Sequence, residues 1–176
     1  MAIVATVGHG TRTTEELASL LHEAGVKVVV DVRRFPGSRR HPHFAGDRLE
    51  EDLPRLGLDY WWRGEHLGGR RAGSSSTRHQ ALRNRAFRAY ADHMDGGEFR
   101  AELERLEAAA GDESLALMCA ETLWWRCHRR LIADVLVARG HSVIHLIAPG
   151  KQQTHPLNPI ARRTNDGWLV YDEAAT

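Results

Sequence analysis

An α/β fold, three-layered and Rossmann-like around a mostly parallel central sheet, is what this sequence of 176 residues predicts. Short, wholly apolar runs such as Ile3 to Val7 and Val28 to Val32 read as strands buried on both faces, the pattern of covered parallel sheets. A helical repeat lies between them, so strand, helix and strand follow one another within roughly 30 residues, as in a βαβ unit.

Each element can be justified in order. Ile3 to Val7 ends in Gly8-His9-Gly10, a strand opening into a loop. Thr13 and Glu16 form a capping box, and Leu17, Leu20, Leu21 and Ala24 repeat at helical spacing until Gly25 stops the helix. Val28 to Val32 is the second strand, interrupted only by Asp31. After a basic loop, Asp47 and Glu50 open a capped helix with Leu49, Leu53 and Leu56 on one face, shortened or bent at Pro54. Leu58 to Trp62 is a third strand, and Gly68 to Ser76 is a loop of small and basic residues. Asn84 to Met94 and Glu98 to Ala110 are helical. Leu115 to Met118 is a strand, Arg126 to Arg139 a helix closed by Gly140, and Ser142 to Ala148 the last core strand. Residues 1–148 thus form the core of a single domain spanning 1–176. Residues 149–176 are a C-terminal extension with an Asn165-Asp166-Gly167 turn and an edge strand at Trp168 to Tyr171.

A chain of this length buries a core without staples, and its only two cysteines are Cys119 and Cys127. No charged start followed by a long apolar run occurs, so neither membrane insertion nor secretion is expected and the location is expected to be cytoplasmic. Net charge is +1, yet of 24 basic residues only Lys27 and Lys151 are lysines. Guanidinium groups favour flat, bidentate partners such as phosphate and carboxylate. A coding bias toward arginine gives the same composition, so placement counts for more than number. Arg33, Arg34, Arg39, Arg40, His41 and His43 share one loop, Arg70, Arg71 and Arg78 another, while acids cluster on helices. The result is a basic rim suited to an anionic partner: a nucleotide, DNA or RNA. Trp61, Trp62, Trp124 and Trp125 offer stacking surfaces or ordinary core packing.

Four strands end in reactive residue types: Val7 leads to His9, Val30 to Asp31 and Arg33, Trp62 to Glu65 and His66, and Met118 to Cys119 and Glu121. Ligands of open α/β sheets bind outside the carboxyl ends of the strands, so all four groups are expected to face one crevice. Cys119 is expected to be a nucleophile or redox centre, its thiol pKa lowered by the following helix and nearby arginines, although a cysteine at a strand end is equally at home as a small core residue. Glu121 is expected to act as acid or base, with His9 and Asp31 orienting or relaying protons; pairing of Asp31 with an arginine is the simpler alternative. Arg33, Arg39, Arg70, Cys127, His128 and Arg129 are expected to bind the substrate. Six residues, bulky Trp124 and Trp125 among them, separate Cys119 from Arg126, which disfavours a phosphate-wrapping cysteine loop. The cysteine spacing is also unlike a zinc knuckle, so no metal and no cofactor is expected.

The stretches Gly8-His9-Gly10-Thr11, Asp31-Val32-Arg33 with Phe35-Pro36, Pro42 with Phe44, Leu67-Gly68-Gly69, Phe87-Arg88 with Tyr90-Ala91-Asp92, and Cys119-Ala120-Glu121 with Cys127-His128-Arg129 together resemble the family known as domain of unknown function 488, from the first strand nearly to Ile147. The resemblance implies an α/β fold and marks His9, Asp31, Arg33, Glu121, Cys127, His128 and Arg129 as the functional set, without supplying a reaction. Taken together, the sequence points to a small cysteine-dependent hydrolase or transferase acting on a phosphate-bearing substrate through a cysteine/carboxylate site at the strand ends. Two other classes stay open: a non-catalytic nucleic-acid-binding module, and a redox- or metal-responsive regulator using Cys119 and Cys127.

Overall fold

Because the central strands have no polar face, both faces of their sheet are covered. The computed structural model describes residues 1–37, 39–73 and 76–172. Strands β1 (Ile3–Gly8), β2 (Val28–Asp31), β3 (Asp59–Trp62), β4 (Leu115–Cys119) and β5 (Ser142–Ala148) are mutually parallel. An antiparallel β6 (Lys151–Thr154) completes the order β3-β2-β4-β1-β5-β6. The helices are α1 (Thr14–Glu23), α2 (Gly46–Arg55), the single turn α3 (Gly64–Leu67), α4 (Arg85–Met94), α5 (Gly97–Asp112) and α6 (Arg129–Ala138). Val4, Val28, Val30, Leu115, Leu117 and Val143 pack on the side of α4, α5 and α6. The alternating set Ala5, Val7, Val29, Ala116, Met118 and Leu146 packs on the side of α1 and α2. This is the three-layer, Rossmann-like architecture with a mostly parallel sheet.

Topology, more than any single contact, positions the site. From β1 the chain crosses by α1 to β2, passing the place that β4 later fills; from β4 it crosses by α6 to β5, passing β1 in the other direction. The chain therefore leaves the adjacent β1 and β4 toward opposite faces of the sheet, which makes their carboxyl ends the topological switch point, the place where open α/β sheets bind ligands. No described helix is long and apolar enough to cross a membrane.

Several local expectations change. The capping box of α1 forms as read, but α2 is preceded by Ala45, without a side-chain cap, and ends one residue past Pro54. Helix α6 starts at Arg129 and not at Arg126, because Trp124–Arg126 makes a separate 3-10 turn and leaves Cys127 just outside the helix. The strand expected at Trp168 to Tyr171 is not at the sheet edge: β7 (Arg162–Arg163) and β8 (Leu169–Val170) form a separate hairpin whose Trp168, Leu169 and Tyr171 pack into the α4–α6 core. Those side chains bury more apolar area there than an edge offers, while the fully exposed, polar β6 suits the edge. Ser74 and Ser75 of the expected loop, and residues 173–176 of the extension, lie outside the described residues.

Candidate active site

The switch point is built first of backbone. Gly8 lies in register with Cys119, and pairing continues past both strands as His9 N–H donates to Cys119 O (2.8 Å) and Gly10 N–H to Ala120 O (3.1 Å). A Cβ on Gly8 would sit 2.0 Å from the carbonyl oxygen of Glu121, so only glycine permits this approach. That same oxygen accepts from Arg129 Nη2 at 2.8 Å and cannot give way cheaply. Gly8→Ala should therefore cost about 1–3 kcal/mol of stability, read as a lower urea midpoint with an unchanged denaturant slope.

On the α1–α2 side, Asp31 alternates with the core residue Val30 and meets Arg33 in a two-pronged pair, Arg33 Nε to Oδ1 at 2.9 Å and Nη2 to Oδ2 at 2.7 Å. Tyr60 also donates its hydroxyl to Asp31 Oδ2 (2.6 Å), and Arg33 Nη2 reaches Phe44 O (2.7 Å). Burial, reinforced by Asp31, pushes the Tyr60 phenol up, which keeps it a donor. His9 is buried on Phe44, ring centroids 4.1 Å apart. Gly10 O can only accept, so His9 Nδ1 carries the proton (2.9 Å) and Nε2 faces Arg33 Nη1 at 3.5 Å. Burial lowers the His9 pKa to about 4, so the ring is neutral at pH 7. Asp31 and Arg33 are thus largely occupied by each other, as in the simpler of the two alternatives.

The sulfurs lie on the opposite side. Cys119, Cys127 and Val32 belong to the α4–α6 core, so the four strand ends share an edge but not one face. Both cysteines are free, with Sγ atoms 2.8 Å apart. The lowered pKa expected for Cys119 is reversed: burial, with Cys127 beside it, pushes this thiol well above the usual value. Helix α6 starts ten residues farther along, beside the other sulfur, so the amide of Arg129 donates to Cys127 Sγ (3.4 Å). Burial alone would raise Cys127, but the Cys119 hydrogen bond, His128 and Arg129 together hold it well below the ordinary thiol range. Cys119 therefore donates and Cys127 carries the thiolate character. Next to it, His128 Nδ1 is 3.5 Å from Cys127 Sγ, and Nε2 donates to Val32 O at 2.9 Å. A thiol of lowered pKa, an imidazole and the carbonyl that orients it thus adjoin one another.

Behind the sulfurs runs a buried chain that sequence reading missed. Arg129 Nη1 contacts Thr6 Oγ1 (3.4 Å), Thr6 Oγ1 meets His145 Nδ1 (2.6 Å), His145 Nε2 meets His155 Nδ1 (2.9 Å), and His155 Nε2 meets Asp134 Oδ1 (2.7 Å). Tyr171 Oη and Asn158 N–H also donate to Asp134, at 2.8 and 3.1 Å. Asp134 only accepts, so with both rings neutral His155 donates to it through Nε2–H, His145 donates to His155 through Nε2–H, and the Thr6 hydroxyl donates to His145 Nδ1 while accepting from Arg129. His145, pressed flat on Trp124 with centroids 4.3 Å apart, has its pKa lowered to about 3, chiefly by burial. The signal was present: Asp134 interrupts the apolar run Leu131 to Leu136, and His145 interrupts Val143 to Ile147.

The remaining expected residues scatter. The carboxylate of Glu121 is exposed and accepts from the amide of Leu123 (3.1 Å), so it shapes the loop, while its backbone oxygen holds Arg129. Arg39 and Arg70 are exposed, and Arg70 has a left-handed φ of 56°. A group of metal-ligating types occurs elsewhere, at His79, Asp92 and Asp95, but Asp95 already pairs with Arg78 and Arg100.

An open α/β domain with a polarised pair of thiols at its switch point is the class that fold and site define. Residues 13–136, more than half of the chain, match the family described as Domain of unknown function DUF488, and the chain belongs to that family. The match contains Asp31, Arg33 and the whole Cys119 to Arg129 stretch; β1 with His9, and β5, lie outside it. No curated protein and no solved structure matches the chain.

Proposed function

We propose that the chain is a cysteine-dependent hydrolase or transferase acting on a phosphate-bearing substrate, a nucleotide or nucleic acid, with Cys127 as nucleophile and His128 as its proton acceptor. The observation that carries this reading is the alignment of Cys127 Sγ, His128 Nδ1 and, through Nε2, the carbonyl of Val32. Transfer of the Cys127 proton to Nδ1 leaves a thiolate that accepts from the Arg129 amide and the Cys119 thiol. Attack forms a bond from sulfur to the electrophile, and the leaving group takes the proton back from His128. Water or an acceptor group then displaces the thiol. Exposed Arg39 and Arg70 favour an anionic substrate, whereas Arg33 serves mainly to lock Asp31.

Alkylation by iodoacetamide, followed by mass spectrometry from pH 6 to 9, tests the assignment. An ordinary thiol loses about tenfold in reactivity for each pH unit below its pKa of roughly 8.5. Cys127 should instead react almost equally at pH 6.5 and 8, and Cys119 hardly at all. Product formed from a panel of nucleotides should vanish in Cys127→Ser. Steep pH dependence at Cys127, or preferential labelling of Cys119, would overturn the assignment.

A second reading is favoured by the 2.8 Å separation of the sulfurs. A peroxide can oxidise the pair, two thiols and one hydrogen peroxide giving a disulfide and two waters, so that the chain acts as a redox-responsive regulator. Reversible loss of both free thiols, with no product from any nucleotide, would mark that function.

A further inference from the structure

Past the Gly68-Gly69 turn, between α3 and the start of α5, lies a cleft of about 590 Å³ whose walls include Arg34, Phe35, Trp62, Glu65, Arg71 and Glu98. Small-molecule sites commonly span roughly 300–1,000 Å³. Two large aromatic side chains are left in water here, Trp62 at 40% and Phe35 at 60% exposure. The indole of Trp62 is held as a fixed plate, because its Nε1–H donates to Arg33 O at 2.8 Å.

Positive charge in the cleft is placed by backbone carbonyls. Arg34 donates to the carbonyl of Arg70 (2.8 Å), and Arg71 donates to the carbonyls of Gly68 (2.9 Å) and Glu65. Neither guanidinium forms an ion pair among the described residues. Burial and then Arg34 hold the Arg71 pKa below its usual value, with Glu98 and Glu65 opposing them only in part. The carboxylates of Glu65 and Glu98 add acceptors to the same walls, and Glu98 lies 3.6 Å from His66 Nδ1. A flat plate, a pair of guanidiniums and carboxylate acceptors match the three chemical parts of a nucleotide: a ring face, a phosphate and an amino-bearing base edge.

We propose that this cleft is a nucleoside-phosphate subsite in which the base stacks on Trp62, its amino edge faces Glu65 and Glu98, and the phosphate lies on Arg34 and Arg71. The inference deepens the proposed function and rests on it for its purpose, since the wall between cleft and thiol site is one backbone turn thick. A Cβ on Gly68 would lie 2.6 Å from Arg34 Cα, and one on Gly69 would lie 3.0 Å from His128 Nδ1. The cleft and the His128–Cys127 pair thus lie on opposite sides of the Gly68-Gly69 turn, and a substrate gripped in the cleft reaches the sulfur only past that turn.

Calorimetric titration with adenosine 5′-monophosphate, adenosine and inorganic phosphate tests the subsite on the intact chain. The nucleotide should bind at least about tenfold more tightly than either part. Trp62→Ala should raise its Kd about tenfold, the size of a lost stacking contact. Trp62→Phe, which keeps a ring and safeguards folding, should raise it less, and Arg34→Gln should raise it while leaving adenosine unaffected. A short single-stranded oligonucleotide that binds with the same dependence on Trp62 would place the unit within a strand and supports the subsite equally. Absence of nucleotide binding, phosphate binding as tight as the nucleotide's, or an unchanged Kd in both Trp62→Ala and Arg34→Gln overturns it. Cys127→Ser should bind the nucleotide like the parent, so failure of the thiol assignment and failure of the subsite give different results.

Discussion

Asp134→Ala should lower the free energy of unfolding by about 3–5 kcal/mol, among the largest effects expected of a side chain outside the candidate active site. Asp134 is wholly buried on α6 and is the acceptor for His155 Nε2, the Asn158 amide and the Tyr171 hydroxyl. Alanine strands all three donors away from water, at roughly 1–3 kcal/mol for each buried polar group left unsatisfied. It also leaves the buried guanidinium of Arg129 without the negative end of its chain. Asp134→Asn should cost less, since the amide oxygen can still take the His155 and Asn158 bonds while its NH₂ turns to the Tyr171 oxygen. Urea unfolding of both variants measures this, and an alanine variant within about 1 kcal/mol of the parent would remove the chain from the list of what holds the fold. Nitrogen NMR gives an independent check. Both His145 and His155 should appear as Nε2–H tautomers, and an Nδ1–H form of either would reverse the direction of the chain.

Legibility followed physical scale. Burial on both strand faces is written into Ile3 to Val7 and Val28 to Val32, so the parallel sheet and the shared edge of functional residues could be read from periodicity. The face on which a strand-end residue lies depends on register, and here the register separates Asp31, on the α1–α2 side, from Cys119, on the α4–α6 side. One-residue detail of that kind decided which sulfur has the lowered pKa. Placing the start of α6 at Arg126 would carry Cys127 into the helix, whereas the 3-10 turn Trp124–Arg126 leaves it at the helix mouth, where amide hydrogens converge. The strand β6 has no apolar alternation, because an edge strand in water needs none. Arginine count overstated the free basic rim: Arg33, Arg34, Arg71 and Arg129 each spend donors on carbonyls or carboxylates of the chain itself. The chain from Thr6 to Asp134 joins residues more than a hundred positions apart, and only the isolated polar positions in apolar runs hinted at it.

Acid should weaken the fold well before its carboxylates titrate. His9 and His145 have pKa values lowered from 6.5 to about 4 and about 3, each chiefly by burial, and burial lowers His93 as well. The sign follows from proton counting. Below pH 6.5 the unfolded chain protonates these rings while the folded chain does not, so the unfolded state binds more protons and stability falls as pH falls. The stabilisation they provide is complete above 6.5 and is lost progressively down to about pH 4 for His9 and about pH 3 for His145. Each ring contributes a slope of up to about 1.4 kcal/mol per pH unit within its window. Folding should therefore be markedly weaker at pH 5 than at pH 7.5, measured as the urea midpoint at fixed ionic strength. His145→Gln removes one of the titrating rings, so its stability should start lower but decline less steeply between pH 6.5 and 4.5. Equal midpoints at pH 7.5 and 5 would mean that both rings accept protons in place, and that Arg33 beside His9 and the Thr6–His145 bond accommodate the added positive charge at little cost.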